Sequence, residues 1–294
     1  MMPGRVAQES STIQSSMPSE PAKPTSLPPP AHAVDGDDSP LYVQAIARAF
    51  QVLQAFDGPR REITLADIAK AAGMGRSAVQ RVVYTLESLG YLARVPDSKN
   101  YRLTSRLLQF SYNYVRNNEL IAKALPYLQE LNRTFDETIN LQELDGTEIV
   151  LVARFLSRHL MNIEVAVGSR LPAFCTASGT AILSRLPEKE CDAILRASRR
   201  VALTPSTELD LDRLRQRIRT AAARGYSIVA NESVVGDISL AAPVLDQGGW
   251  PVAAVNISVP VARWTVEQAE TELANHVQAT AMMLSGAKIS PFMG

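Results

Sequence analysis

Residues 73–92 read GMGRSAVQRVVYTLESLGYL. Val79, Val82, Val83, Leu86 and Leu89 recur at helical spacing, while Ser77, Gln80, Arg81, Tyr84 and Ser88 fall on the opposite face. Ser77 and Gln80 have the S-x-x-Q spacing of a capping box, so a helix is expected to start at Ser77. Gly90 supplies the left-handed conformation that ends one. Upstream, Thr64 and Asp67 form a T-x-x-D pair at the head of a helix through Leu65, Ile68, Ala69 and Ala72, which Gly73-Met74-Gly75 breaks. Two capped helices joined by a short glycine-containing turn make a helix-turn-helix. An earlier helix carries Val43, Ile46, Ala47, Phe50 and Leu53 on one face and stops before Asp57-Gly58-Pro59.

Downstream, Tyr91 to Val95 and Tyr101 to Leu103 flank the turn Pro96-Asp97-Ser98-Lys99-Asn100, a short β-hairpin with a basic, polar tip. Residues 41–106 hold ten basic and five acidic side chains in a chain of zero net charge. A uniformly basic nucleic-acid coat is excluded; a local basic reader is not. Arg76 and Ser77 sit at the helix start, where N–H groups and the helix dipole favour phosphate. Gln80 can pair with adenine and Arg81 with guanine, and Tyr84 can meet a phosphate or a thymine methyl. Arg94, Lys99, Asn100 and Arg102 add the backbone contacts of a wing. The bland alternative is a structural corner whose outward arginines are merely solvated.

Residues 1–40 contain eight of the 18 prolines and seven serines without apolar periodicity, the composition of a disordered tail. A helical connector is expected over 105–135, with Leu107, Leu108, Tyr112 and Val115 on one stretch and Ile121, Leu125, Leu128 and Leu131 on another. Asn117-Asn118 and Pro126 signal interruptions. Its apolar stripe must pack on its own domains or on a second subunit. Residues 136–288 then read as an antiparallel α+β domain. A hairpin turns at Asp145-Gly146, and another strand is expected over Met161–Val167. Helices are expected near 177–186, 187–197 and 207–224, strands over Tyr226–Ala230, Leu240–Leu245 and Pro251–Val259, and a final helix over 265–285 capped by Thr265.

The loop Leu171 to Gly179 is rich in small and hydroxyl residues and runs into a helix, offering N–H donors to a carboxylate. Along Val255-Asn256-Ile257-Ser258-Val259, Asn256 and Ser258 share one face. That face either lines a pocket or meets solvent. Arg170 either neutralises an acid or, as the simpler reading, is solvated.

Cys175 and Cys191 lack metal-site spacing, and His32, His159 and His276 lie at ligand spacing from no other His or Cys, so no metal and no cofactor is expected. Cys175 reads as a small buried thiol; a Cys–His nucleophile pair with His159 or His276 would need tertiary proximity. No membrane span or signal peptide is evident, and a cytoplasmic location is the simplest reading.

The stretches YVQAIARAFQVLQAF from residue 42, LADIAKAAG, YRLTSRLLQFSYNYV, LDGTEIVLVARF, LPAFCTASGTAILS, RGYSIVANESVVGDISLAAPV and AAVNISV, in this order and spacing, resemble the IclR family of bacterial transcriptional regulators. The resemblance covers residues 41–285, with features of the branch controlling aromatic-acid (β-ketoadipate pathway) catabolism. It implies a winged helix-turn-helix domain over 41–104, a helical linker, and a GAF-like C-terminal effector domain binding a small, usually acidic, molecule. It places effector contacts on Leu171, Ala177, Ser178, Ser239, Asn256 and Ser258. Val229 stands where the family carries an acidic contact, which points to a different ligand. It also implies double-stranded promoter DNA as partner, and a homodimer that pairs as a dimer of dimers. The competing readings are a small-molecule-binding enzyme with an accessory helix-turn-helix, and a protein-interaction adaptor.

Overall fold

The computed structural model describes residues 39–58, 60–158 and 165–286. All but the last two residues of the expected tail, His159, and most of the strand expected over Met161–Val167 lie outside them. The end of that stretch is a turn, with the Ser169 N–H donating to the Ala166 carbonyl at 2.9 Å.

The N-terminal unit consists of α1 (Gln44–Gln54), β1 (Ile63–Thr64), α2 (Leu65–Ala71), α3 (Arg76–Ser88), β2 (Leu92–Arg94) and β3 (Asn100–Leu103). Val52, Phe56, Ile63, Ile68, Val79, Val83, Leu86 and Leu92 form its core. Thr64 and Asp67 make the expected capping box, with the Asp67 N–H donating to Thr64 Oγ1 at 3.2 Å. The start of α3 differs from the expectation. Its N-cap is Gly75 and its first residue Arg76, so Ser77 lies inside the first turn and caps nothing. The reason is backbone geometry: Gly73 turns the chain at φ +62°, and Gly75 leaves the turn extended. Gly90, at φ +80°, ends the helix as expected. β1 is too short to show in the sequence pattern, yet it completes a three-stranded antiparallel sheet of order β1-β3-β2. The α1 face bearing Val43, Ile46 and Phe50 turns outward, with Ile46 57% and Phe50 60% exposed.

α4 (Leu108–Asn117) and α5 (Glu119–Phe135) follow. The break falls at Asn118, whose Oδ1 accepts from the Ile121 N–H at 3.0 Å to cap α5. Pro126 does not interrupt α5. Both Pro126 and Ala122, whose carbonyl loses its partner, are exposed, so that carbonyl is open to solvent and the helix continues. Leu120, Ile121, Ala124, Leu128 and Leu131 of α5 pack into the C-terminal core.

That core surrounds a six-stranded antiparallel sheet of order β6-β5-β4-β9-β8-β7. The elements are β4 (Thr138–Asp145), β5 (Glu148–Phe155), β6 (Arg170–Pro172), α6 (Ala177–Leu183), α7 (Glu188–Ala197), α8 (Leu211–Arg224), β7 (Ser227–Ala230), β8 (Asp237–Leu245), β9 (Pro251–Pro260) and α9 (Val266–Leu284). One face is sealed by α5 and α9 over Ile139, Leu141, Val255, Ile257 and Leu240. The other carries α6, α7 and α8 over Ile149, Val229, Ala241 and Ala254. α6 approaches the 173–175 turn so closely that a Cβ on Gly179 would lie 2.1 Å from the Ala173 carbonyl oxygen. Gly179→Ala therefore forces two backbone segments apart, at a cost of about 1–3 kcal/mol. A lowered urea unfolding midpoint checks this; an unchanged one refutes it.

Candidate functional site

Burial of Val79, Val83 and Leu86 fixes the rotation of α3. Arg76, Ser77, Gln80, Arg81 and Tyr84 consequently line its exposed side, Tyr84 being 71% exposed. The Ser88 hydroxyl, on the same side, is committed to the Tyr84 carbonyl at 2.9 Å. Arg94, Lys99 and Arg102 are exposed on the β2–β3 hairpin, with Asn100 half-buried. The hairpin turn is held by the Val95 N–H donating to the Asn100 carbonyl and the Asn100 N–H donating to Ser98 Oγ, at 2.9 and 3.0 Å. The nine positions form two adjoining elements of one unit, with no acidic side chain among them.

Leu171, Ala177, Ser178, Ser239, Asn256 and Ser258, the six expected effector positions, all line one cavity beneath α6. Its volume is about 50 Å³, so a ligand of benzoate size enters only when lining side chains move apart. Asn256 is 4% exposed, which excludes the solvent reading of its face. The cavity has further walls that the sequence reading missed: Asn140 and Gln142 on β4, Arg154 on β5 and Asp237 on β8. Asn140 and Gln142 were visible as polar residues alternating with Ile139 and Leu141, the pattern already recognised at Asn256. Arg154 and Asp237 carried no local signal; sheet register brings them in, with Arg154 opposite Asn140 and Asn140 opposite Asn256.

The polar groups are tightly paired. Asn140 Nδ2 donates to Asn256 Oδ1 at 2.7 Å, and the Ser178 hydroxyl donates to Gln142 Oε1. The Ser239 hydroxyl donates to Asp237 Oδ2 at 2.7 Å, and that of Ser258 to Asp237 Oδ1. Asp237 is 8% exposed. Burial pushes its carboxyl above the usual carboxylate range, against the opposing pull of the two serines and the Arg154 charge. Val229 is a core residue on β7, and the acid at this cavity is Asp237 instead. The loop before α6 spends donors on itself: the Gly179 N–H donates to Thr176 Oγ1 at 3.2 Å.

Arg170 is not solvated. Its Nε meets Glu148 and its Nη2 meets Asp145, each at 2.8 Å, clamping the β4–β5 hairpin away from the cavity. Burial pushes the Cys175 thiol up to about 12, and His276 rides on α9, across the sheet from it. Among the described residues no three His, Cys, Asp or Glu side chains gather as a metal site, and no helix is long and apolar enough to cross a membrane. At the α4–α5 junction, the Tyr114 hydroxyl donates to Glu143 Oε2 and Asn118 Nδ2 donates to Glu143 Oε1 at 3.2 Å. Glu143 lies on β4, next to Gln142 of the cavity wall.

The raised Asp237 value has a consequence for stability. A group whose folded-state pKa is raised contributes stability below its unfolded value, about 4, and loses it as pH rises through the folded value. Asp237→Asn removes that titration. The stability of the wild type relative to the variant is expected to fall as pH rises from about 4 through the raised folded value. Urea midpoints of both proteins across that range check this, and a pH-independent difference would contradict it.

Comparison with known proteins agrees with this architecture. The IclR helix-turn-helix domain matches residues 45–96, and the domain described as bacterial transcriptional regulator IclR C-terminal matches residues 112–286. The Pca regulon regulatory protein of Pseudomonas putida is 32% identical over 262 residues, covering 85% of this chain and 89% of that one. A solved transcriptional regulator from Rhodococcus sp. RHA1 is 35% identical with a TM-score of 0.71, covering 83% of this chain and 97% of that one. An IclR homologue from Microbacterium hydrocarbonoxydans, solved with 4-hydroxybenzoate, shares the fold at 23% identity and a TM-score of 0.68, over 82% of this chain and 97% of that one. These relatives are regulators rather than enzymes, and the chain belongs to the IclR family of bacterial transcriptional regulators, pairing a helix-turn-helix DNA-binding domain with a ligand-binding C-terminal domain.

Proposed function

We propose that this regulator senses a small carboxylic acid, of the aromatic class acted on in β-ketoadipate-type catabolism, and adjusts its grip on promoter DNA accordingly. The carrying observation is the single cavity on which all six expected effector positions converge, with the Arg154 guanidinium in its wall. The Pca regulon relative and the 4-hydroxybenzoate complex support the aromatic class. The protein acts in the cytoplasm, where promoter DNA is.

The DNA reading assigns distinct work to the exposed residues. Gln80 and Arg81 meet base edges, and Tyr84 lies beside them on the groove-facing side. Arg76 and Ser77 meet phosphate at a helix start that no side chain caps. Arg94, Lys99, Asn100 and Arg102 hold the flanking backbone through the wing. One short helix discriminates weakly, so two copies on adjoining half-sites are required. The outward apolar face of α1 and the exposed Leu108 and Phe110 of α4 are the surfaces offered to the second copy.

Fluorescence anisotropy on a promoter fragment tests the DNA assignment. Arg81→Ala should cost about 1–3 kcal/mol on the specific site, and Lys99→Ala should lower the salt slope by about one. Unchanged affinity in both variants would remove the groove-reading assignment. Analytical ultracentrifugation tests the pairing surface: Phe50→Glu should shift the protein to monomer, and a variant that sediments like wild type would place the interface elsewhere.

A further inference from the structure

The direction of the hydrogen bonds in the cavity constrains its ligand further than the list of contacts does. Asn256 Nδ2 donates to the backbone carbonyls of Leu240 and Ile257, at 3.3 and 3.4 Å. Carbonyls only accept, so the Asn256 amide is fixed with its oxygen toward Asn140. Asn140 must therefore present its Nδ2 to that oxygen, which it does at 2.7 Å. The Asn140 carbonyl oxygen is left pointing elsewhere. It has no hydrogen-bond partner, and the residue is 4% exposed and lines the cavity.

The neighbouring groups are of the same kind. Both Asp237 carboxylate oxygens take the hydroxyl protons of Ser239 and Ser258, so the two serines offer a ligand lone pairs, not protons. The cation in the described wall is Arg154, which sits opposite Asn140 in the β4–β5 register.

We infer that the cavity selects a carboxylic acid that also bears a hydroxyl group, with Asn140 as the specificity-determining acceptor for that hydroxyl and Asp237 as the positioning residue that turns the serines into acceptors. The inference rests on the acid-sensing reading above. An acid lacking a donor leaves the buried Asn140 carbonyl oxygen unpaired, and a site with an unpaired buried acceptor rejects such analogues strongly. A ligand ammonium would also donate, but it would bring a further charge into a buried wall that already holds Arg154 and Asp237 and would cost more desolvation than a hydroxyl, so a neutral hydroxyl fits best.

Isothermal titration of the full-length protein with matched acids tests this: 3- and 4-hydroxybenzoate against benzoate and the methoxybenzoates, and malate against succinate. At least one hydroxy acid should bind about ten- to a hundredfold tighter than its deoxy partner, and methylating its hydroxyl should abolish the gain. Asn140→Leu alone would leave Asn256 Oδ1 as a substitute acceptor, so the variant is Asn140→Leu with Asn256→Leu, in which the preference should collapse toward one. If that variant does not fold, the comparison of hydroxy and methoxy acids on the wild type decides the matter alone. Equal affinities within every pair would overturn the donor requirement and leave acid sensing standing. No binding by any of these acids would overturn both. A full preference retained in the double variant would remove Asn140 from the role.

Discussion

Strict alternation along β4 and β9 is the constraint on which the C-terminal half depends. Ile139, Leu141, Val255 and Ile257 face the layer of α5 and α9 and are almost fully buried. The residues between them, Asn140, Gln142, Asn256 and Ser258, face the opposite way and are polar. A sheet buried on both sides ordinarily carries apolar residues on both. Here the second face has a dry margin, made by Ile149, Ala241 and Ala254 under α6, and a polar centre. Burying that centre costs free energy unless every group finds a partner. The Asn140–Asn256 pair, the Ser178–Gln142 bond and the Asp237–serine pairs meet most of that requirement.

The same logic explains how far the sequence was readable. Long amphipathic elements and caps were legible because their signals are local: Thr64 with Asp67, Thr265 with Gln268, and Gly90 after Leu89 each act within one turn of helix. The Ser77 cap failed because two competing starts lay two residues apart. Gly75 wins by its extended backbone, which a spacing rule cannot weigh against a hydroxyl. Pro126 failed because the cost of proline depends on whether the orphaned carbonyl reaches water, which requires knowing the buried face. Arg170 failed because its partners, Asp145 and Glu148, come together only when the hairpin closes.

The cavity was half legible. Asn256 and Ser258 stood out by alternation, and the family resemblance supplied Leu171, Ala177, Ser178 and Ser239. Arg154 and Asp237 are invisible to any local rule, since each becomes part of the site through strands distant in sequence. Donors that an acid would use are spent within the protein: Asp237 takes the protons of Ser239 and Ser258, and the loop before α6 uses the Thr176 hydroxyl to cap its own helix. The cation of the described wall is Arg154.

The position of Glu143 bears on how a ligand in that cavity is felt elsewhere. A ligand shifts an equilibrium only by binding two arrangements with different affinity. The cavity of about 50 Å³ supplies such a difference, because admitting an acid of benzoate size requires its walls to separate. One wall is β4, through Asn140 and Gln142, and the next residue along it is Glu143. Both carboxylate oxygens of Glu143 are engaged at the α4–α5 junction, by Tyr114 and Asn118. Burial raises the Glu143 pKa and that of Tyr114, and Glu143 is the half-buried member of the pair. Displacement of β4 must then either move the end of α4 with it or break these bonds, and α4 is the helix that follows the wing, with Phe110 stacked on Tyr91 at 5.9 Å.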